Sequence, residues 1–372
     1  MPNKLSVEGI IKRSRKFVGR TLRHALLKPA LTDLILYANS FCNASCQFCD
    51  VGSSKQGIRR AIKDAPLYLD IDLLEKVLDD GLIYGNRLCV IFLMTEPLLA
   101  PKLPLMLEAC KTRGHWTKVT TNGLLLRKRI GEIATSLDAI QVSIDGLEEA
   151  HDSIRGKGFF RAAIAGLKAA RLAAPDLEIQ VNYTITPRNH RALCEFLKFI
   201  DGLGLNIDLL KFQLMDFVSE SMAARHNREY PWIAQTVSSI NDNYRFSHDD
   251  IKDLCNEIEA ARAFTALSIK RVAFKPPIAS IEELKRYFDA EGEPIPGADK
   301  CYAPWTQLAI NTAGDVFWHM RCFNGYALGN ARKSTLKEIF HGQKAEHFRE
   351  ELRRSGFAFP ACTRCCSLMP MD

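Results

Sequence analysis

The chain has 372 residues, 47% of them hydrophobic, enough for one large globular domain and a smaller companion. A basic N-terminus without an apolar signal core, and no apolar run near the ~18 residues a bilayer needs, argue against a secreted disulfide framework or a membrane helix; twelve cysteines then point to a reducing cytoplasm. The formal charge of +7 is concentrated in residues 1–28, where eight Lys or Arg face only Glu8, and the remainder is formally neutral.

The first element expected is therefore a basic amphipathic helix within 1–33, its apolar side formed by Val7, Ile10, Ile11, Phe17, Val18, Leu22 and Leu26. Its basic side is either a plain solvated face or a peripheral contact for anionic membrane or an anionic carrier. No nucleic-acid-binding module is recognisable. From Leu34 onward, short apolar runs alternate with helical patterns: strands are expected at 34–41, 88–94, 117–121, 139–144, 178–185 and 208–215, with helices at 71–80, 102–113, 127–135, 160–173 and 190–202. Six β units separated by helices imply parallel strands with right-handed crossovers, an open or closed β/α barrel.

After Phe217 the pattern becomes polar and helical, with a helix over Ser247 to Ala263 and an extra strand within Ala266 to Phe274. Pro276, Pro277, Pro294, Pro296 and Gly297 then mark a linker. Thr306 to Asn311 and Asp315 to Met320 flank a Gly314 turn and read as a hairpin. Ser334 is expected to cap a short helix containing Glu338, and a helix at about 344–354 leads into the last cysteines. These divisions give an N-terminal helix (1–33), a β/α core (34–217), a helical connection (218–297) and a C-terminal unit (298–372).

Cys42, Cys46 and Cys49 form C-x3-C-x2-C, with Phe48 before the last cysteine, at the end of the first apolar run. Three close thiolates can hold a [4Fe-4S] cluster with one iron open to another ligand, although spacing alone also admits zinc or ordinary buried thiols. Downstream come Met94-Thr95-Glu96-Pro97, then Thr120-Thr121-Asn122-Gly123, Ser143-Ile144-Asp145-Gly146, and His151 to Gly156 containing Arg155. A second cysteine set, Cys301, Cys322, Cys362 and Cys365, suits a cubic cluster or a tetrahedral zinc.

Taken in this order, the motifs resemble those of the radical S-adenosylmethionine (SAM) superfamily, and the C-terminal cysteines resemble its SPASM/twitch auxiliary-cluster domain in the one-cluster twitch form. The resemblance covers about 34–217 and 298–366, and it departs from the superfamily's Gly-Gly-Glu-Pro at Met94 and Thr95. It implies a partial (β/α)6 barrel followed by a small α+β unit, chemistry at the C-terminal strand ends, and SAM with two [4Fe-4S] clusters as cofactors. It carries SAM contacts to Thr95, Glu96, Ser143 and Arg155, places Asn122 and Asp145 near substrate or ribose, and suggests Asn182 and Gln213 as pocket residues. The auxiliary ligands become Cys301, Cys322, Cys362 and Cys365; Cys366 is an alternative ligand, redox partner or hydrogen-atom donor.

Cys255 is a second catalytic candidate, on the expectation that the connecting helices close the barrel mouth, whereas Cys89, Cys110 and Cys194 read as small buried hydrophobes. The resemblance implies hydrogen abstraction by a 5'-deoxyadenosyl radical, fed by a donor such as flavodoxin or ferredoxin. The resemblance includes peptide-modifying enzymes that frequently carry an N-terminal leader-binding domain; about 33 residues before the first strand disfavour that arrangement, and a carbohydrate-like or aminocyclitol alcohol, dehydrogenated or epimerised, is the expected substrate. Radical modification of a ribosomal peptide is the alternative, and a zinc-binding structural protein the remote one.

Overall fold

The computed structural model describes residues 29–46, 48–49, 67–82, 87–233, 235–239, 245–278, 280–289, 293, 295, 300–319, 326–368 and 371. The expected N-terminal helix lies outside the described residues. Strand segments such as 178–185 (EIQVNYTI) alternate polar and apolar side chains, and the two-residue period of an extended chain sends these to opposite faces. Seven strands built this way pair in chain order, each parallel to the next: β1 (Asp33–Leu36), β2 (Cys89–Phe92), β3 (Trp116–Thr121), β4 (Ala139–Ser143), β5 (Glu178–Ile185), β6 (Leu209–Leu214) and β7 (Val272–Lys275).

Helices α1 (Ile71–Leu82), α2 (Leu103–Thr112), α3 (Leu126–Ile133), α4 (Glu148–Arg155), α5 (Phe159–Ala173) and α6 (Leu193–Gly202) connect β1 through β6. Then α7 (Glu220–Glu229) and α8 (His248–Ala263) lead to β7, followed by α9 (Ile281–Asp289) and α10 (Ala303–Thr306). The C-terminal unit adds β8 (Gln307–Ile310), β9 (Asp315–Phe317), β10 (Gly329–Asn330), α11 (Leu336–Phe340) and α12 (Gln343–Arg354). It does not form a sheet of its own: β8 runs parallel beside β1, and the order is β10-β9-β8-β1-β2-β3-β4-β5-β6-β7.

One face of this sheet is apolar and lies under the helices, with Leu34, Val90, Val119, Val142, Val181 and Phe212 each 0% exposed. Burying side chains of this size stabilises by about 1.5–3 kcal/mol apiece. The Phe212 ring lies 5.2 Å from Tyr183 and stacks at 5.2 Å on Phe274, carrying the layer into β7. The opposite, concave face is polar: Gln141 pairs with Gln180, Asn182 with Lys211, and Gln213 with Lys275 across neighbouring strands.

The expected elements shift where side chains compete for the backbone. β1 stops at Leu36 instead of continuing to 41, because Asn39 accepts from the Phe41 N–H at 3.1 Å and turns the chain. The helix expected from 190 starts at Leu193, since the Asn189 side chain accepts the Thr186 N–H at 2.7 Å and holds a turn. The extra strand contracts to β7, a seventh parallel strand beside the expected six. Thr335, not Ser334, caps α11, with Glu338 returning the bond in a capping box.

Candidate active site

Buried polar side chains tie the end of β1 to that of β2, β2 to β3, and β4 to β5, and the cysteine loop is bonded to these strand ends. Asn39, 0% exposed, donates from Nδ2 to the Glu96 carbonyl at 2.7 Å, joining the end of β1 to that of β2. The Thr95 hydroxyl donates back to the Asn39 carbonyl at 3.1 Å. Glu96 then joins β2 to β3: its carboxylate accepts from Leu98 N–H (3.1 Å), Thr121 Oγ1 (2.7 Å) and Asn122 N–H (2.8 Å). Burial pushes Glu96 up to about 6 although all three bonds favour its charge. Just before it, Met94 has φ +83°, the left-handed backbone that glycine adopts freely, at the position where the related motif carries glycine.

Asn122 donates from Nδ2 to Asn43 Oδ1 at 2.8 Å and lies 4.0 Å from Cys42 Sγ, so the third strand end grips the cysteine loop. At the fourth strand, Asp145 is 0% exposed and accepts Arg155 Nε at 2.6 Å and the Thr184 N–H at 2.8 Å. Arg155 closes α4, reaches Cys46 Sγ with Nη1 at 3.7 Å, and lies 5.6 Å over the Phe48 ring. The aromatic residue of the cysteine motif thus stacks on the cation that approaches the cysteines.

Burial pushes Cys42 up to about 11 and Cys46 to about 12, while Arg155 favours both thiolates. Without metal these thiols are protonated at neutral pH, so cluster assembly must release their protons. Ser143 pairs in register with Asn182, whose buried Oδ1 has no hydrogen-bond partner among the described residues. An orphaned acceptor costs about 1–3 kcal/mol unless a ligand donates to it. Gln213 on β6 reaches Asp216 Oδ1 with Nε2 at 3.5 Å. Three grouped thiols, a buried cation beside them and an acceptor awaiting a donor fit a SAM-binding [4Fe-4S] site.

The second cysteine set gathers where β8 begins and the chain ends. Cys301 donates its N–H to the Phe357 carbonyl at 2.9 Å, and the Cys365 N–H bonds the Cys362 carbonyl at 2.9 Å, the turn a C-x2-C takes. Burial pushes Cys301 up to about 11 and Cys362 to about 12, with Cys366 adding to the first and Cys301 to the second. Cys366, the expected alternative ligand, therefore stands close to Cys301; Cys322 lies outside the described residues. Among the described residues no group of three His, Cys, Asp or Glu side chains is placed to hold a single metal ion.

Cys255 is not brought to either set. It sits in the apolar core on α8, and its thiol turns toward Glu259 Oε1 at 3.9 Å. Sequence reasoning missed Asn39, which reads as an ordinary polar residue, gave no role to Thr121 although it stands in the third-strand motif, and missed Lys118, Lys211 and Lys275 on the concave face. The signal for Lys211 was present in the alternation LLKFQL of 209–214, which places it with the polar residues of the strand.

Residues 37–200 match the model of the radical SAM superfamily, and residues 301–366 match that of the SPASM iron-sulfur cluster-binding domain. The chain belongs to the radical SAM superfamily, as a SPASM-bearing iron-sulfur enzyme whose cofactors are SAM and [4Fe-4S] clusters. Among relatives, it is 23% identical over 346 residues (89% of this chain, 86% of the other) to a tungsten-containing aldehyde ferredoxin oxidoreductase cofactor-modifying protein of Pyrococcus furiosus. It is 24% identical to the pre-heme d1 synthase of Dinoroseobacter shibae, over 70% of this chain and 62% of that one. The crystal structure of Streptococcus suis SuiB shares the fold, with a TM-score of 0.61 at 16% identity, covering 94% of this chain and 74% of that one.

Proposed function

We propose that this enzyme abstracts a hydrogen atom from a small, polar, carbohydrate-like or aminocyclitol alcohol and dehydrogenates or epimerises it. The observation that carries the reading is the concave face of the barrel. It is lined with hydrogen-bonding side chains, Gln141, Asn182, Lys211 and Gln213 among them, in place of the apolar wall that would suit a greasy ligand. The cysteine loop hangs at one end of this face, and Cys366 is near enough to act electrostatically on Lys211 within it. When bound, SAM and its cluster supply a 5'-deoxyadenosyl radical.

The chain's own residues do the rest. Arg155, anchored by Asp145, offers guanidinium N–H groups to a carboxylate beside Cys46. Glu96 fixes the strand ends and, with Thr95 and Ser143, borders the SAM amino acid moiety; Asn122, Asn182 and Gln213 border its nucleoside or the substrate. Cys301, Cys322, Cys362 and Cys365 hold the auxiliary cluster. After hydrogen-atom loss from carbon, dehydrogenation requires the O–H proton to leave and one more electron to pass to an acceptor, which the auxiliary cluster would be; epimerisation instead returns one hydrogen atom, for which the Cys366 thiol is the candidate donor, leaving a sulfur radical to be reduced by the external electron donor. The relatives named above for a metal-enzyme cofactor and for pre-heme d1 support a small-molecule substrate. A cytoplasmic enzyme served by ferredoxin or flavodoxin fits the free thiols.

The test is anaerobic turnover with SAM and dithionite against two panels, polyhydroxylated small molecules and peptides, reading 5'-deoxyadenosine and, with C-deuterated substrate, its deuterium content. Stimulation by a small alcohol with deuterium transfer is expected. Stimulation confined to the peptides would overturn the reading in favour of peptide modification.

A further inference from the structure

We propose that the concave face of the barrel is an anion-binding site, where Lys211 and Lys275, with Lys118 beside them, hold a carboxylate or phosphate group of the substrate. The inference deepens the small-molecule reading above and rests on it. Parallel register sets Lys211 next to Asn182 and Lys275 next to Gln213, so strand alternation turns both lysines to the same face. Lys118 reaches that face from β3, donating to Gln141 Oε1 at 2.9 Å and to Gln180 Oε1 at 2.6 Å. Among the described residues, Lys211 and Lys275 have no hydrogen bond or ion pair.

Like charges gathered in an enclosed site disfavour one another's charge, and Lys211 shows it. Desolvation first, then Lys275 and Lys118, bring it down to about 7, opposed by Cys366 and Asp216. Both lysines keep part of their area exposed. A bound anion adds countercharge to that of Cys366 and Asp216, and an ammonium is a compact point charge suited to phosphate or carboxylate. Beside Lys211, the orphaned Asn182 Oδ1 asks for a donor. The ligand chemistry that meets both demands is a small anion that also carries a hydroxyl or amino group.

The test titrates anaerobically reconstituted holoenzyme by calorimetry with pyrophosphate and, separately, with tricarballylate, in wild type, Lys211→Gln/Lys275→Gln and Lys211→Arg/Lys275→Arg. Expected is binding of at least one anion to wild type, a loss of about tenfold or more in affinity in the Gln pair, and recovery in the Arg pair. Pyrophosphate alone would identify a phosphate group, tricarballylate alone a carboxylate. Iron content checks that each variant assembles. Should the Gln pair fail to do so, acetylation of wild-type lysines mapped by mass spectrometry decides, with anion protection of Lys211 expected. Binding of neither anion, binding unchanged in an assembled Gln pair, or no protection would overturn the site and leave the lysines as solvent-reaching side chains. A wild type that binds anion without cleaving SAM would instead overturn the proposed radical function.

Discussion

Glu96 is buried among donors from two strand ends, and its position has a pH signature. Its folded value of about 6 lies above the ordinary 4.5, so the fold favours the neutral form. Its contribution to stability is therefore full below pH 4.5 and declines by about 2 kcal/mol as pH rises through 6. Glu96→Gln should remove that decline, so the urea stability difference between variant and wild-type apoprotein should change by about that amount between pH 4.5 and 7. A difference that stays constant would contradict the assignment. Asp145 makes the complementary case: Asp145→Asn leaves the Arg155 charge buried without its carboxylate, a loss of about 3 kcal/mol in thermal or urea unfolding. Ser143, Asp145 and Arg155 stood out as motif residues, but the bond from Arg155 to Asp145 was not legible, because it depends on how α4 returns to β4.

At the scale of elements, legibility followed the hydrophobic period. Strands β3 to β6 lie within about a residue of expectation because their alternation is strong, whereas α4 (EEAHDSIR) is polar enough that its helix gave no apolar stripe. The turn after β3 depends on Gly123. Its φ is +83°, and a Cβ there would lie 2.8 Å from that of Ala163 in α5. Gly123→Ala should therefore cost about 2–3 kcal/mol, read as a lowered urea midpoint with unchanged slope. Thr335→Ala should cost about 1 kcal/mol by removing the α11 capping box, and Ser334→Ala much less. Equal effects of the two would contradict the cap. The residue types at 334 and 335 are interchangeable as caps, and only the three-residue interval to Glu338 selects Thr335.

Across the whole molecule, the pairing of Asp33 with Gln307 joins segments far apart in the chain, and no local pattern announces it. The partial barrel was legible, but not that the C-terminal strands continue its sheet, which runs unbroken through ten strands. The lysine cluster was hidden for the same reason, since Lys118, Lys211 and Lys275 each look ordinary in their own strands and meet only when β3, β6 and β7 curve around a shared space. The C-x3-C-x2-C group, by contrast, stands out in the sequence because its spacing is local, whereas the C-terminal set spans residues 301–365 and was singled out by its resemblance.

The central claim is that two cysteine groups hold two clusters and that the first governs SAM. Iron and sulfide counting after anaerobic reconstitution, with dithionite-driven formation of 5'-deoxyadenosine, in wild type and in a Cys42→Ala/Cys46→Ala/Cys49→Ala variant, tests it most directly. About eight irons per chain in wild type, about four in the variant and no 5'-deoxyadenosine from the variant are predicted. Zinc in place of iron, or no 5'-deoxyadenosine from wild type, would contradict it.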